Sequence, residues 1–164
     1  MYGPKAAGAW PGSGTSLIGP AGPGLDPNYL QVSDTSTQSA SVANTLQDVT
    51  WSTNGAIDGF THTAGAAQIV VARTGVYQIT ASIPVRSTLL GGTATVCVAV
   101  NGVTGACQST TLDTTSMTRV IPLTTIVSAT AADVVTLRFK GSSTSVQIIG
   151  TADSMSVLAI ANVD

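Results

Sequence analysis

The sequence predicts an all-β protein: an antiparallel jelly-roll sandwich of about eight to ten strands, preceded by an extended N-terminal arm. Three observations carry this prediction. Residues 75–85 run Gly-Val-Tyr-Gln-Ile-Thr-Ala-Ser-Ile-Pro-Val, with Tyr77, Ile79, Ala81, Ile83 and Val85 apolar and the residues between them polar or unable to pair. A period of two held over nine residues marks a strand with one buried and one wet face. Similar runs recur to the C-terminus, punctuated by turn residues, with no helical pattern between them. Finally, Ser and Thr fill 42 of the 164 positions, all eight acidic residues are Asp, and only 9% of residues are charged. A surface helix needs a charged face that this chain lacks the residues to build, whereas Val, Ile and Thr suit a pleated surface.

The elements follow in order. Residues 1–30 hold five of the seven prolines and seven of the 17 glycines. That composition packs no core and reads as an extended arm. Gly19-Pro-Ala-Gly22-Pro-Gly24 starts a Gly-X-Y register that Leu25 breaks at once, too short for a triple helix. Within the arm, Tyr2, Trp10, Leu17, Ile18 and Tyr29 are large apolar groups suited to inserting into pockets on another protein or folding back onto their own domain. The remaining residues, 31–164, form the jelly-roll domain.

Leu30 to Asp34 alternates briefly, and Ser33 to Ala43 is polar and reads as a loop. Gln47 to Trp51 reads as a strand, Asn54-Gly55 as a turn, and Ala67 to Ala72 as a strand. Arg73-Thr74-Gly75 then turns the chain into the long strand 76–86. Thr93 to Val100 follows, closed by Asn101-Gly102, the strongest short hairpin signal, with a return strand over about 105–111. Arg119 to Ser128 carries Pro122, which marks an edge strand or a bulge. Asp133 to Lys140 alternates Val135, Leu137 and Phe139 inward against Thr136, Arg138 and Lys140 outward. Runs at 146–149 and 155–161 complete the set.

Composition also excludes function classes. A net charge near −2 argues against nucleic acid as a partner. The N-terminus lacks the apolar core of a secretory signal, and no stretch is long and apolar enough for a membrane helix, so the expectation is a protein made in a cytoplasm. Few charges with positive mean hydropathy point to surface buried between copies.

Catalytic and metal constellations are missing from the pattern. His62 stands alone between Thr61 and Thr63, without metal-ligand spacing, and reads as a solvated loop residue. Asp113, Asp133 and Asp153 are far apart in sequence and suit turns and strand starts. No calcium loop or phosphate-binding glycine loop is present, so no cofactor or metal is expected. Cys97 and Cys107 flank Asn101-Gly102. A three-residue loop would set them opposite each other, while a two-residue loop would pair Cys97 with Ala106 and require a register shift for a bridge. A cytoplasmic origin favours thiols and an extracellular particle favours a disulfide, so the pairing stays open.

Thr74-Gly75-Val-Tyr77-Gln-Ile79, Val98-Ala-Val-Asn101-Gly102, Ala131-Ala-Asp133-Val-Val135-Thr-Leu137 and Ser154-Met-Ser-Val-Leu-Ala-Ile160 occur in this order. Together they resemble the complement-component and tumour-necrosis-factor jelly-roll superfamily over about residues 45–163, with Ala132 in place of the usual glycine. With Leu90-Gly-Gly-Thr before the apolar strand, the chain is most similar to the heads of bacterial exosporium collagen-like glycoproteins and their relatives on phage particles. The resemblance implies a ten-stranded jelly roll that assembles as a tight homotrimer. Trp51, Tyr77, Ile79, Ile83, Val98, Leu137, Phe139 and Val157 are the expected core or trimer-interface residues. Strand 96–100, apolar at every position, is expected to meet the core on one face and a neighbouring subunit on the other.

The function expected from these readings is structural and not enzymatic: a trimeric capsid decoration or cement protein at a virion surface, attached through its arm to a major capsid or other virion protein. The alternatives are a fibre or collar component, or an exosporium or cell-surface head that binds a receptor or glycan. Trp51 and Phe60 are the aromatic candidates for a glycan site, with core burial the competing reading.

Overall fold

The computed structural model describes residues 28–89, 91–113, 116–151 and 156–163. These residues form thirteen strands and no helix: β1 (Tyr29–Asp34), β2 (Gln38–Ser39), β3 (Gln47–Asp48), β4 (Thr53–Asp58), β5 (Phe60–His62), β6 (Ile69–Val71), β7 (Gly75–Ser87), β8 (Thr93–Val100), β9 (Val103–Thr111), β10 (Arg119–Ala129), β11 (Val134–Gly141), β12 (Val146–Ile148) and β13 (Ser156–Asn162). Every pairing is antiparallel, in two sheets. In the first, the long β7 is central. It pairs with β10 along one edge, and with β13 and then β12 along the other; β1 and β4 continue beyond β13. The second runs β5-β6-β11-β8-β9, with β3 beside β11. The arm residues Tyr2, Trp10, Leu17 and Ile18, and Asp153, lie outside the described residues.

The core is the set of inward positions that the alternation predicts. Tyr77, Ile79, Ala81, Ile83 and Val85 of β7 are buried against Ala94, Val96 and Val98 of β8 and Val135, Leu137 and Phe139 of β11. Leu30 and Val32 of β1, Ile121 and Leu123 of β10 and Leu158 and Ile160 of β13 complete the layer. Phe60 meets Tyr77 edge-on with ring centroids 5.3 Å apart, a favoured aromatic geometry. The Tyr77 hydroxyl donates to the Arg73 carbonyl at 2.6 Å.

Three local expectations are corrected. Asn54-Gly55 is not a turn but lies inside β4; the reversal falls at Gly59, whose φ of +72° is in the left-handed region. A Cβ at Gly59 would collide with the Asn28 side chain, so glycine is required there. Asn54 stays extended because its side chain is engaged: Nδ2 donates to the His62 carbonyl at 3.1 Å and Oδ1 faces His62 Nδ1. His62 is accordingly a buried strand residue and not a solvated loop residue, with Nε2 3.1 Å from the Ala66 carbonyl. The strand expected over 47–51 is regular only at Gln47 and Asp48, with one further backbone bond from Val49 N to the Leu137 carbonyl at 2.8 Å. Trp51 is fully buried outside any strand, held by its own backbone bonds to Gly65 and Ala66.

The hairpin question resolves in favour of the shorter loop. Asn101 (φ 50°) and Gly102 (φ 78°) form a two-residue turn between Val100 and Val103, with both φ values positive as a type I′ turn demands. A bulge between Cys97 and Ala99 then shifts the register by one and places Cys97 opposite Cys107, which are disulfide-bonded. Closing a loop of this length restricts the unfolded chain by about 2–3 kcal/mol. The Cys97→Ala/Cys107→Ala double variant is expected to lose that much in denaturant unfolding; an unchanged midpoint would contradict it.

Asp34 ends β1 buried, and ties two loops together. Its Oδ2 accepts from Ser36 Oγ and Gln38 Nε2, both at 2.6 Å. Gln38 in turn bonds the Thr50 carbonyl and amide at 2.9 and 3.0 Å. Burial pushes the Asp34 carboxyl up, but hydrogen bonds from Ser36, Ser52 and Gln38 outweigh it and hold the carboxyl below its ordinary value. A carboxyl depressed by folding stabilises above its unfolded pKa, and that stability is lost as pH falls through the folded value. Asp34→Asn is therefore expected to cost about 1–3 kcal/mol at neutral pH, with the gap to wild type closing as the pH is lowered below about 4. Melting curves at pH 7 and pH 3 read both parts.

Candidate self-association face

The outward residues of the first sheet form a surface that the same period of two defines. Row by row across the strands, the pairing aligns Ile126, Gln78, Ala161 and Tyr29, then Thr124, Thr80, Ala159 and Gln31. Pro122 lies opposite Ser82 and Val120 opposite Pro84. Among these positions no side chain carries a charge. The first charges are Arg86 at the far end of β7 and Asp58 on β4, the outermost strand.

The relief of this face is uneven. Ile126 and Val120 stand out from β10, 65% and 54% exposed. Between β7 and β13 the surface sinks into an open depression of about 150 Å³ lined by Gln78, Thr80, Ala159, Ile160 and Ala161. Exposed large aliphatics on a regular strand, beside a hollow of matching apolar character, are the parts of a packed interface.

The adjoining edge is equally uncovered. β10 pairs only with β7, and β9 pairs only with β8, so both sheets end on this side. All nine residues of β9 are exposed or partly exposed, Val103 to 74%. It contains no proline and no charge. A long edge strand without such protection invites another chain, and natural proteins cover it.

The sequence-derived site residues fall elsewhere. Trp51, Tyr77, Ile79, Ile83, Val98, Leu137 and Phe139 are all in the core. Val157 falls in β13 opposite Ser82. Tyr29 is exposed and belongs to the face itself. The second side of strand 96–100 offers a neighbour no surface, contrary to expectation, because Cys97 and Ala99 on it are already buried within the chain. The residues that matter here, Val120, Ile126, Ala159 and Ala161, were missed. Their signal was present: in 119–129 apolar residues sit on both parities, so with Ile121 and Leu123 inward the even positions expose Val120 and Ile126.

The groups that could carry chemistry are engaged in structure. Asp113 pairs with Arg119 at 3.3 Å, and Asp48 with Arg138 at 3.0 Å. Asp133 accepts from the Thr130 backbone N–H and from Asn101 Nδ2, both at 2.7 Å, which holds its carboxyl below the ordinary value and fixes the turn into β11. Among the described residues no three His, Cys, Asp or Glu side chains lie close enough to share a metal ion.

No protein-family model and no curated protein sequence matches the chain. Solved structures do match its fold. Murine APRIL, crystallised at pH 5.0, aligns with a TM-score of 0.61 at 11% identity over 84% of this chain and 99% of that one. Eiger TNF from S. frugiperda aligns with a TM-score of 0.62 at 12% identity over 85% and 94% respectively. The fold is thus the TNF-like jelly roll.

Proposed function

We propose that this chain is a structural protein without enzymatic activity: a homotrimer joined through the charge-free face of its first sheet, carried on a virion as a capsid decoration or cement protein, and attached by residues 1–27, the part of the arm that precedes β1. The observation that carries the proposal is the pairing of an uncharged, partly hollow sheet face with an uncovered edge on the same subunit. An edge packed on a neighbour's face is a heterologous contact, which closes only as a ring. Three is the number that the resemblance to jelly-roll trimers implies. The scattered bulky apolar groups of the proline- and glycine-rich arm support attachment. Extended, that stretch reaches about 90 Å at roughly 3.3 Å per residue, and three arms per particle site add avidity without any strong single contact.

Deleting residues 2–24 tests the attachment. The truncated protein is expected to keep its assembly state and to fall at least tenfold in occupancy on purified particles. Wild-type occupancy would assign attachment to the jelly roll instead. Recovery of the full chain only from spore or cell surfaces, and never from particles, would replace the virion role with that of a surface head.

A further inference from the structure

We propose that the Cys97–Cys107 disulfide sets the register of β9 and so acts as a redox lock on the self-association edge; its effect on assembly rests on the trimer proposed above. Next to the Asn101-Gly102 turn, Val100 pairs with Val103 and Ala99 with Thr104. Continued without interruption, that register would set Cys97 opposite Ala106. Instead Val98 faces two residues, Gly105 and Ala106, and beyond them Cys97 meets Cys107, Val96 meets Gln108 and Thr95 meets Ser109. β9 therefore carries one surplus residue, and something must fix where along the strand it sits.

The core does not fix it. No side chain of β9 is buried, so moving the surplus residue costs no apolar contact, and a strand without an inward apolar set holds its register weakly. β8 cannot adjust instead: Val96, Cys97, Val98 and Ala99 are buried, and β11 pairs along its other edge. Both ends of β9 are pinned. One is held by the turn, the other by buried Leu112, whose N–H donates to the Gly92 carbonyl at 2.8 Å. Between them the disulfide is the covalent tie to β8, aided by a bond between the Thr95 and Ser109 hydroxyls at 2.9 Å. When the disulfide opens, the surplus residue can move toward Thr111. Each residue that it passes turns its side chain to the opposite face and swaps its backbone N–H and C=O between β8 and the outer edge. The edge offered to a neighbour is then a different one.

The chemistry is exchange with a dithiol. Cys107 is exposed and Cys97 buried, so a thiolate of the reductant attacks the Cys107 sulfur and forms a mixed disulfide there. The Cys97 sulfur is expelled and takes up a proton. The second thiol of the reductant then displaces Cys107. Two electrons and two protons pass to the protein, leaving two thiols and an oxidised dithiol.

The test uses full-length protein. In Cys107→Ser/Ala106→Cys the introduced thiol stands opposite Cys97 only in the shifted register; in Cys107→Ser/Gln108→Cys it does so in neither. Mild oxidation is expected to bridge the first variant and not the second, read by mass spectrometry as the loss of two hydrogens. Oxidised wild type is expected to sediment as three chains. Excess dithiothreitol is expected to raise its dissociation constant at least tenfold, with the far-ultraviolet circular dichroism unchanged and recovery on reoxidation. Failure of the first variant to bridge, equal bridging in the second, unchanged assembly of protein whose thiols are free, or global unfolding on reduction would each overturn the lock and leave the trimer standing. A single-chain mass for the oxidised wild type would overturn the trimer, and with it the lock's role in assembly.

Discussion

Ile126→Asp is expected to turn the assembled protein into monomers. Ile126 is the most exposed large apolar side chain within a strand of the first sheet, and it projects from β10 beside a face without charges. In the assembly proposed above it fills an apolar site on the next subunit. A carboxylate there would be desolvated with no cation among the outward positions aligned with it, Gln78, Ala161 and Tyr29. Loss of a central aliphatic anchor plus an unpaired buried charge costs about 3–5 kcal/mol per contact, a weakening of roughly a hundred- to several thousand-fold. Since Ile126 faces solvent in the single chain, the variant should keep its fold. Gln68→Asp, also exposed but beside the second sheet, is the control and is expected to leave the assembly intact. Sedimentation velocity of both variants reads the outcome.

Trp51→Ala is expected to cost about 3–5 kcal/mol of folding stability, as large aromatic deletions in cores do. That is a large part of the 5–15 kcal/mol that holds a typical domain together. Trp51 is completely buried, and the cavity left cannot close easily because its backbone is pinned: N donates to the Ala66 carbonyl at 3.0 Å and its carbonyl accepts from Gly65 at 2.7 Å. Its indole nitrogen makes no hydrogen bond, so Trp51→Phe should lose less than half as much. Denaturant titrations of the two variants measure the difference. The same burial removes Trp51 as a sugar-stacking residue, and Phe60, buried against Tyr77, is removed with it.

The strands were legible wherever the period of two was long. β7, β8, β10 and β11 match the sequence reading to within one or two residues because each has several inward apolar residues that only one register satisfies. Legibility failed where side chains override backbone preference. Asn54-Gly55 has strong local turn chemistry, yet the Asn54 amide is satisfied by His62 of the other sheet, and the chain stays extended. The disulfide depended on a bulge, which no spacing rule locates. The association face was hidden for a different reason. Attention went to apolar residues, and these mark the core; the face is marked instead by what its outward positions lack, which becomes visible only when Ile126, Gln78, Ala161 and Tyr29 line up across four strands.

The mass of the full-length protein in solution, by light scattering coupled to size exclusion at micromolar concentration, tests the central claim most directly. The charge-free face and the uncovered β9 edge predict an assembly, and the resemblance to jelly-roll trimers sets it at three times the 16.4 kDa of one chain, unchanged on moderate dilution and in high salt, since the contact is apolar and not ionic. A mass of one chain under these conditions would show that the face and edge remain open to water, and would contradict the account.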